Sequence, residues 1–238
     1  MTAAAVMTKK ISNFVKNLPI MMTLEKLLAE KLLKISAIQL QPEMPFTWAS
    51  GWSSPIYTDN RKTLSYPDIR SFIKIELCRL ILEQYPQVDA IAGVATGAIA
   101  QGALVADELG LPYVYVRSTP KDHGLENLIE GTLKPGQKVV VIEDLISTGK
   151  SSLKAAEAVR LAGADVVGMV AMFTYGFPVA EEAFKEAGVK LTTLSNYEAM
   201  LQVALETGFI REKDLKTLQE WREDPANWNP GRDITTID

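Results

Sequence analysis

The sequence predicts an α/β fold in which a central, mostly parallel sheet is flanked by helices. Two observations support this prediction. Short β-branched runs alternate along the chain with segments whose apolar residues recur at helical spacing. The run at 139–142 is apolar at every position, which is typical of a parallel strand buried on both faces. Repeated strand–helix alternation requires crossover connections, which place helices on both sides of the sheet.

The first third of the chain predicts a helix and then short strands. Apolar residues recur at helical spacing after Thr23, a residue type that caps helices; they are Leu24, Leu27, Leu28, Leu32 and Ile35. The segment 41–45 ends that helix. Between 46 and 58, aromatic and β-branched residues alternate around Gly51 and Pro55, which predicts short strands joined by a turn.

The rest of the chain predicts strands and helices in alternation. The predicted strands are 88–94, 113–116, 139–142, 166–173 and 191–194, and the predicted helices are 69–81, 97–109, 149–161, 178–187, 197–206 and 212–221. The segment 117–131 is polar, mixed in charge and without periodicity, which predicts a long mobile loop. We therefore expect an N-terminal extension at 1–22, one domain at 23–222 and an irregular tail at 223–238.

Composition argues against several classes of protein. The chain has 238 residues, of which 47% are hydrophobic and 23% charged, as in soluble globular proteins. Its net charge of −4 argues against binding of nucleic acid through bulk positive charge. No apolar stretch reaches membrane-spanning length, and the single cysteine, Cys78, excludes an internal disulfide. We expect a cytoplasmic protein that binds neither nucleic acid nor membrane, with Cys78 filling the core.

The end of the strand at 139–142 carries the strongest functional signal. Two adjacent carboxylates, Glu143 and Asp144, follow the strand, and a short loop with Ser147, Thr148 and Gly149 then leads into a helix. Backbone N–H groups at such a junction can hold an anion where the helix dipole favours negative charge. Acids beside an anion site suit a ligand with hydroxyls next to a phosphate, and ribose 5-phosphate has that arrangement.

Two other interpretations of this segment are weaker. Acidic and hydroxyl residues occur at strand–helix junctions simply as N-caps, but capping does not require two acids, two hydroxyls and a glycine together. Gly149, Lys150 and Ser151 resemble the end of a nucleotide-binding P-loop. That motif needs a glycine where this chain has Asp144, so the P-loop interpretation fails.

The segment closely resembles the signature with which type I phosphoribosyltransferases bind phosphoribosyl pyrophosphate (PRPP). Other segments narrow the resemblance to the orotate phosphoribosyltransferases within that family. They are FTWASG at 46–51, SPIYTDNR at 54–61, YVRSTPKDHG at 115–124 and LSNY at 194–197. The resemblance covers nearly the whole chain and implies the type I fold, with a small hood built from N-terminal segments.

The resemblance implies transfer of ribose 5-phosphate from PRPP to orotate, giving orotidine 5′-monophosphate and pyrophosphate in de novo pyrimidine (UMP) biosynthesis. Glu143 and Asp144 would accept hydrogen bonds from the ribose hydroxyls and favour positive charge on the sugar. Lys121 would stabilise or protonate the departing pyrophosphate. The expected catalytic residues are Lys121, His123 and Asp144. The expected PRPP-binding residues are Arg117, Lys121, His123, Glu143, Asp144, Leu145, Ile146, Ser147, Thr148, Gly149, Lys150 and Ser151.

The resemblance further implies that the loop at 117–131 closes over the active site of a partner subunit. A homodimer would then be required for activity, and closure would exclude water from a reactive ribosyl cation. Mg²⁺ is expected as the counter-ion of pyrophosphate, held mainly by PRPP and water. Since PRPP and water supply these oxygen ligands, we expect no dedicated metal site of the protein, and with His123 as the only histidine of the chain a multi-histidine site is excluded.

For orotate the resemblance points to Ser147 and to Tyr57. Tyr57 could stack on the flat ring, although a tyrosine buried in a sheet is the simpler interpretation. Lys150 is equally well interpreted as a solvated lysine at a helix start. Asp59 and Arg61 are expected to form a local ion pair.

The chain departs from the family at positions that often carry cations. Ser118 stands where many members have a second loop cation, and Ala49 stands where some have a lysine. The turn at 95–98 lacks a lysine, and the segment 173–176 lacks an arginine, that other members have there. Backbone amides of the turn at 95–98 are expected to substitute.

Two other functions share this fold. A regulator that kept the PRPP pocket as a sensor would carry an added basic DNA-binding segment, but the first predicted helix has mixed charges. A phosphoribosyltransferase for a purine base is disfavoured by the motif at 121–124 and by Ser54-Pro55.

Overall fold

A computed structural model of the chain describes residues 22–48, 50–119 and 128–229. The strands are β1 (Ile38–Leu40), β2 (Phe46–Thr47), β3 (Ser53–Ser54), β4 (Ile56–Thr58), β5 (Ala90–Val94), β6 (Tyr113–Val116), β7 (Ile129–Glu130), β8 (Lys138–Ile146), β9 (Asp165–Thr174) and β10 (Leu191–Asn196). The α-helices are α1 (Leu24–Lys34), α2 (Pro67–Gln84), α3 (Ile99–Leu109), α4 (Lys150–Leu161), α5 (Pro178–Glu186), α6 (Tyr197–Glu206) and α7 (Glu212–Glu223). A 3-10 helix covers Asn60–Ser65.

The central sheet has the strand order β10-β9-β8-β5-β6-β7. Its neighbours are parallel except β6 and β7, which pair antiparallel at one edge. The predicted fold class, a central and mostly parallel sheet flanked by helices, is therefore confirmed. The carboxyl ends of the parallel strands meet at one end of the sheet, which is where ligands bind in this architecture.

Helices cover both faces of the sheet. On one face α4 packs onto β8 and β9, in a buried cluster that includes Val159 and Phe184. On the other face a larger cluster joins α1, α2, α3, α6 and α7, with Leu28, Leu77 and Trp221 fully buried. Burial of each large apolar side chain stabilises the fold by about 1.5–3 kcal/mol. The strand ends that carry the site are thus held by packing on both sides.

Helix α1 and two antiparallel ribbons form the hood. β1 pairs with β4, β2 pairs with β3, and α1 packs against β10 and α6. Thr23 caps α1 as predicted, because its side chain accepts a hydrogen bond from the N–H of Lys26. β1 was not predicted, since three residues are too few to show strand alternation.

β8 is longer than the sequence predicted. We expected the strand to end at Ile142, but it continues to Ile146, and the ladder with β9 extends equally far. Pairing with a buried neighbour overrides the low strand preference of charged residues. Glu143 and Asp144 therefore lie on a strand with a fixed backbone, and the connection to α4 shrinks to residues 147–149.

The predicted mobile loop at 117–131 is wrong at its carboxyl end. Ile129–Glu130 form β7 against β6, and Leu128 is fully buried. A strand of two residues carries no periodicity that the sequence could reveal. Residues 120–127 lie outside the described residues, so the rest of the predicted loop stays a prediction.

Two expectations from composition concern Cys78 and membranes. The Sγ of buried Cys78 lies 3.9 Å from the carbonyl oxygen of Val105, and burial raises the pKa of the thiol to about 11. Such a thiol fills the core and is a poor nucleophile, as predicted. Within the described ranges, no helix combines the length and the apolar character needed to cross a membrane.

Candidate active site

Glu143 and Asp144, the acid pair, lie near the carboxyl end of β8. Glu143 is only 5% exposed, and both of its carboxylate oxygens accept hydrogen bonds. Oε1 accepts from the backbone N–H of Asp144 at 3.0 Å, and Oε2 accepts from the hydroxyl of Ser152 at 2.8 Å. Because each carboxylate oxygen has two lone pairs, a ligand hydroxyl can still donate to Glu143.

Asp144 is held from two other segments. Its carbonyl oxygen accepts a hydrogen bond from Asn60 Nδ2, in the 3-10 helix, at 2.6 Å. Its carboxylate lies against the backbone of Gly97, in the turn between β5 and α3. A Cβ at position 97 would stand 2.2 Å from Asp144 Oδ2, so only glycine permits this approach. Asp144 is half-buried and is the more accessible member of the acid pair.

Burial raises the pKa of both acids. The pKa of Glu143 lies well above its usual range because the carboxyl is buried and because Asp144 adds a second negative charge. Burial also raises the pKa of Asp144, while the hydrogen bond with Glu143 and the positive charge of Arg61 oppose that rise. Because the negative charge of each acid opposes ionisation of the other, positive charge placed beside the pair is stabilised.

Residues 147–151, the serine-rich turn, follow β8 and lead into α4. Gly149 has φ 78°, and the ring of Phe184 lies 2.9 Å from the place of a Cβ, so this position requires glycine on two counts. Lys150 and Ser151 are exposed in the first turn of α4. Gly149 is the N-cap residue and has no side chain to occupy the first N–H groups of the helix, which leaves them for an anion.

A cavity of about 270 Å³ opens beside the serine-rich turn. It is lined by Thr47, Trp48, Tyr57 and Thr58 of the hood and by Leu145, Ser147 and Tyr175 of the sheet end. Its size and aromatic lining suit a small flat ring. Ser147 belongs to both the turn and the cavity, so an anion held at the turn and a ring in the cavity would be neighbours.

Aromatic residues from distant segments build one wall of the cavity. Trp48 stacks on Tyr175 with ring centroids 5.4 Å apart, and Trp221 of α7 packs edge-on against both rings. The guanidinium of Arg222 donates to the carbonyl oxygens of Tyr175 and Gly176 at 3.1 and 3.2 Å. Among the described residues that line the cavity, none is charged.

The structure brings Tyr57 and Ser147 to the same cavity. Tyr57 is 39% exposed, so its interpretation as a tyrosine buried in a sheet is wrong. Sequence reasoning missed Trp48, Thr58 and Tyr175. Tyr175 directly follows β9, the neighbour of β8, and that place beyond a strand end was the signal that could have found it.

The predicted PRPP-binding residues beyond the serine-rich turn take different positions. Ile146 is fully buried and its carbonyl oxygen accepts the N–H of Tyr175 at the end of the ladder with β9, so it supports the site through its backbone pairing. Arg117 follows β6, and its Nη1 lies 3.5 Å from Glu130 Oε1. Lys121 and His123 lie outside the described residues.

Three chemical functions therefore meet at one end of the sheet. The acid pair can accept hydrogen bonds from hydroxyls, the serine-rich turn can hold an anion, and the cavity can take a flat ring. A phosphorylated sugar could lie across the first two and present a reactive carbon to the ring, which is catalysis by orientation.

Known proteins are similar to this chain in sequence and in fold. Residues 73–206, which include the acid pair and the serine-rich turn, match the family described as Phosphoribosyl transferase domain. An orotate phosphoribosyltransferase from Bacteroides thetaiotaomicron is 73% identical over 212 residues, covering 89% of this chain and 100% of the relative. One from Streptococcus pneumoniae is 53% identical over 210 residues, covering 88% and 100%. The solved orotate phosphoribosyltransferase from Aeropyrum pernix is similar with a TM-score of 0.63 at 28% identity, covering 76% of this chain and 99% of that one.

Proposed function

This chain belongs to the orotate phosphoribosyltransferase family, and we propose that it binds PRPP at the acid pair and the serine-rich turn and binds orotate in the adjoining cavity. As a member of that family it is an enzyme that transfers ribose 5-phosphate from PRPP to orotate, giving orotidine 5′-monophosphate and pyrophosphate. The observation that best supports the proposed site is that Ser147 belongs to the serine-rich turn and also lines the cavity. The reaction would serve pyrimidine (UMP) biosynthesis.

The serine-rich turn would anchor the 5-phosphate of PRPP. The first N–H groups of α4 and the hydroxyls of Ser147, Thr148 and Ser151 can donate to its oxygens. This phosphate does not react, so its binding energy serves to orient the sugar. The acid pair would accept the ribose hydroxyls and stabilise the positive charge that builds on the sugar in the transition state.

The cavity would hold orotate with its ring nitrogen toward the sugar. Tyr57 and Trp48 offer aromatic surfaces for the flat ring. The carboxylate of orotate would be held by neutral donors, because the described lining contains hydroxyl groups and no cation. Ser147, Thr58 and Tyr175 supply those hydroxyls.

The departing pyrophosphate needs positive charge, which Arg117, Lys121 and His123 would supply, with Lys121 donating a proton or stabilising the new charge. Mg²⁺ would neutralise part of the pyrophosphate charge when bound. Within the described residues no group of three or more His, Cys, Asp or Glu side chains could hold a metal ion. Because Mg²⁺ prefers oxygen ligands, the ion would be held mainly by oxygen atoms of PRPP and by water.

We further propose a homodimer in which the segment around Lys121 reaches the active site of the partner subunit. A closed segment would keep water from the ribosyl cation. The proposed setting is the cytoplasm, and the proposed domain remains 23–222.

We expect purified protein with Mg²⁺, PRPP and orotate to lower the ultraviolet absorbance of orotate as nucleotide forms. Uracil lacks the carboxylate that the hydroxyls of the cavity would bind, so its kcat/KM should be lower by at least about 100-fold. Adenine and hypoxanthine should give little product. The measurement is the absorbance change, with product identified by chromatography. Turnover of a purine without turnover of orotate would overturn this assignment of substrate.

A further inference from the structure

We propose that Asn60 and Arg61 are positioning residues that hold Asp144 in a fixed position beside the proposed orotate cavity. The proposal rests on the proposed function, in which Asp144 contacts the ribose. Neither residue is expected to touch a reacting atom. They would affect the reaction by fixing the position of Asp144 and of the neighbouring segment 57–59.

Asn60, in the 3-10 helix that directly follows the hood, is connected to β8 by a hydrogen bond of its side chain. It is 1% exposed, and its Nδ2 donates to the carbonyl oxygen of Asp144 at 2.6 Å, across 84 positions of sequence. The carbonyl group can only accept, so the amide must turn its NH₂ toward Asp144. The other amide atom, Oδ1, is buried without a hydrogen-bond partner among the described residues. The bond to Asp144 therefore accounts for the side-chain hydrogen bonding of Asn60.

The segment 57–60, which includes Asn60, also forms part of the proposed orotate cavity. Tyr57 and Thr58 line the cavity and precede Asn60 by three and two positions. The N–H of Asp59 donates to the carbonyl oxygen of Ala37 at 2.7 Å, and the hydroxyl of Thr63 donates to the carbonyl oxygen of Asn60 at 2.6 Å. Pairing of β4 with β1 also holds Tyr57 and Thr58, so residues 57–60 are fixed along their whole length. They set how far the base lies from the sugar, which is the distance that the reaction must close.

Arg61 adds a charge to the same arrangement. The predicted ion pair with Asp59 is present, with Nε 2.7 Å from Oδ1. The positive charge of Arg61 lowers the pKa of Asp144, against the larger effect of burial, which raises it. Among the described residues, the other ionisable groups that act on Asp144 or Arg61 are Glu143 on β8, Tyr175 beyond β9, Tyr57 on β4 and Asp59. Arg61 follows Asn60 directly, so its charge is held near Asp144 and would favour the ionised form of that acid, in which both carboxylate oxygens can accept a ribose hydroxyl.

The first test is Asn60→Asp, which keeps the shape of the side chain but turns an acceptor toward the acceptor on Asp144. We expect kcat to fall by about tenfold or more, since a buried hydrogen bond is replaced by repulsion. The KM for PRPP should change by less than about threefold, because the serine-rich turn still anchors the phosphate. Asn227→Asp, at an exposed position near the C-terminus, is the matched control and should keep wild-type kinetics.

The second test is Arg61→Gln, at a side chain that is 56% exposed and so should not affect folding. Loss of the positive charge raises the pKa of Asp144, so the acid limb of the kcat/KM profile should move to higher pH. The shift should be small, because Arg61 is largely exposed and solvent screens its charge. Arg61→Lys should restore the wild-type profile, and Arg79→Gln on α2 should leave it unchanged.

Asp144→Asn separates failure of this inference from failure of the proposed site. Loss of activity in Asp144→Asn together with wild-type behaviour of both Asn60→Asp and Arg61→Gln would overturn the positioning role alone. Wild-type activity of Asp144→Asn itself would overturn the proposed site and this inference with it. If Asn60→Asp does not fold, the pH profile of Arg61→Gln decides: a profile that superimposes on that of wild type overturns the proposal.

Discussion

Replacement of Lys121 by alanine is expected to remove most turnover while leaving PRPP binding in place. The proposed role of Lys121 is to stabilise or protonate the departing pyrophosphate, and a positioned acid of this kind contributes about 10²–10⁴-fold to the rate. The phosphate anchor and the acid pair are untouched by the change. The measurements are kcat with orotate and the dissociation constant of PRPP from calorimetry. Unchanged kcat would remove Lys121 from the mechanism.

A mixing experiment tests whether Lys121 acts across the proposed dimer. Lys121→Ala and Asp144→Asn proteins should each be nearly inactive alone. After dissociation and reassociation in equal amounts, about a quarter of wild-type activity should appear, because half of the dimers are mixed and each has one intact site. Lys121→Ala carried through the same procedure by itself is the control. No recovery in the mixture, with mixed dimers detected by mass, would contradict the sharing of this segment.

Gly97→Ala is expected to reduce kcat/KM by about 100-fold, since a displacement near 1 Å at a reacting group can cost that much. The added Cβ would stand 2.2 Å from Oδ2 and 2.3 Å from Cγ of Asp144, so the carboxylate must move. Overpacking of this kind also costs about 1–3 kcal/mol of stability. Steady-state kinetics and thermal unfolding together measure the two effects.

Gly110→Ala is the matched control for the loss of stability. Gly110 ends α3 with φ 65°, in open space with no atom within 4 Å of a Cβ. Its replacement should lower the free energy of unfolding by about 1 kcal/mol, because a positive φ is strained for alanine. The value of kcat/KM should stay unchanged. Wild-type kinetics in Gly97→Ala would show that the position of Asp144 does not matter for the reaction.

Strand and helix periodicity was enough to predict the order of the large elements and the mostly parallel sheet. Runs such as 139–142 are apolar because both faces of a central strand are covered, and that cause is local in sequence. The strand boundaries that the sequence did not predict have a different cause. β1 and β7 are three and two residues long and carry no period, and β8 continues through two acids because β9 pairs with it. Tertiary pairing decided those boundaries, and the sequence does not display it.

The residues of the candidate site also fall into a group that the sequence predicted and a group that it did not. The acid pair and the serine-rich turn were predicted because they form one continuous segment with a chemical meaning. Trp48, Tyr175 and Asn60 were not assigned to the site, because each reaches it from a distant part of the chain. Asn60 meets Asp144 across 84 positions, a proximity that only the fold creates. The roles of Lys121 and His123 stay predictions, since both lie outside the described residues.

We propose that the end of β8 binds a sugar phosphate, and a crystal structure with bound PRPP tests this most directly. The expected electron density places the 5-phosphate at the serine-rich turn, within hydrogen-bond distance of the N–H groups at the start of α4, and places the ribose hydroxyls on Glu143 and Asp144. PRPP bound elsewhere, with the turn empty or filled by the protein's own side chains, would contradict the account.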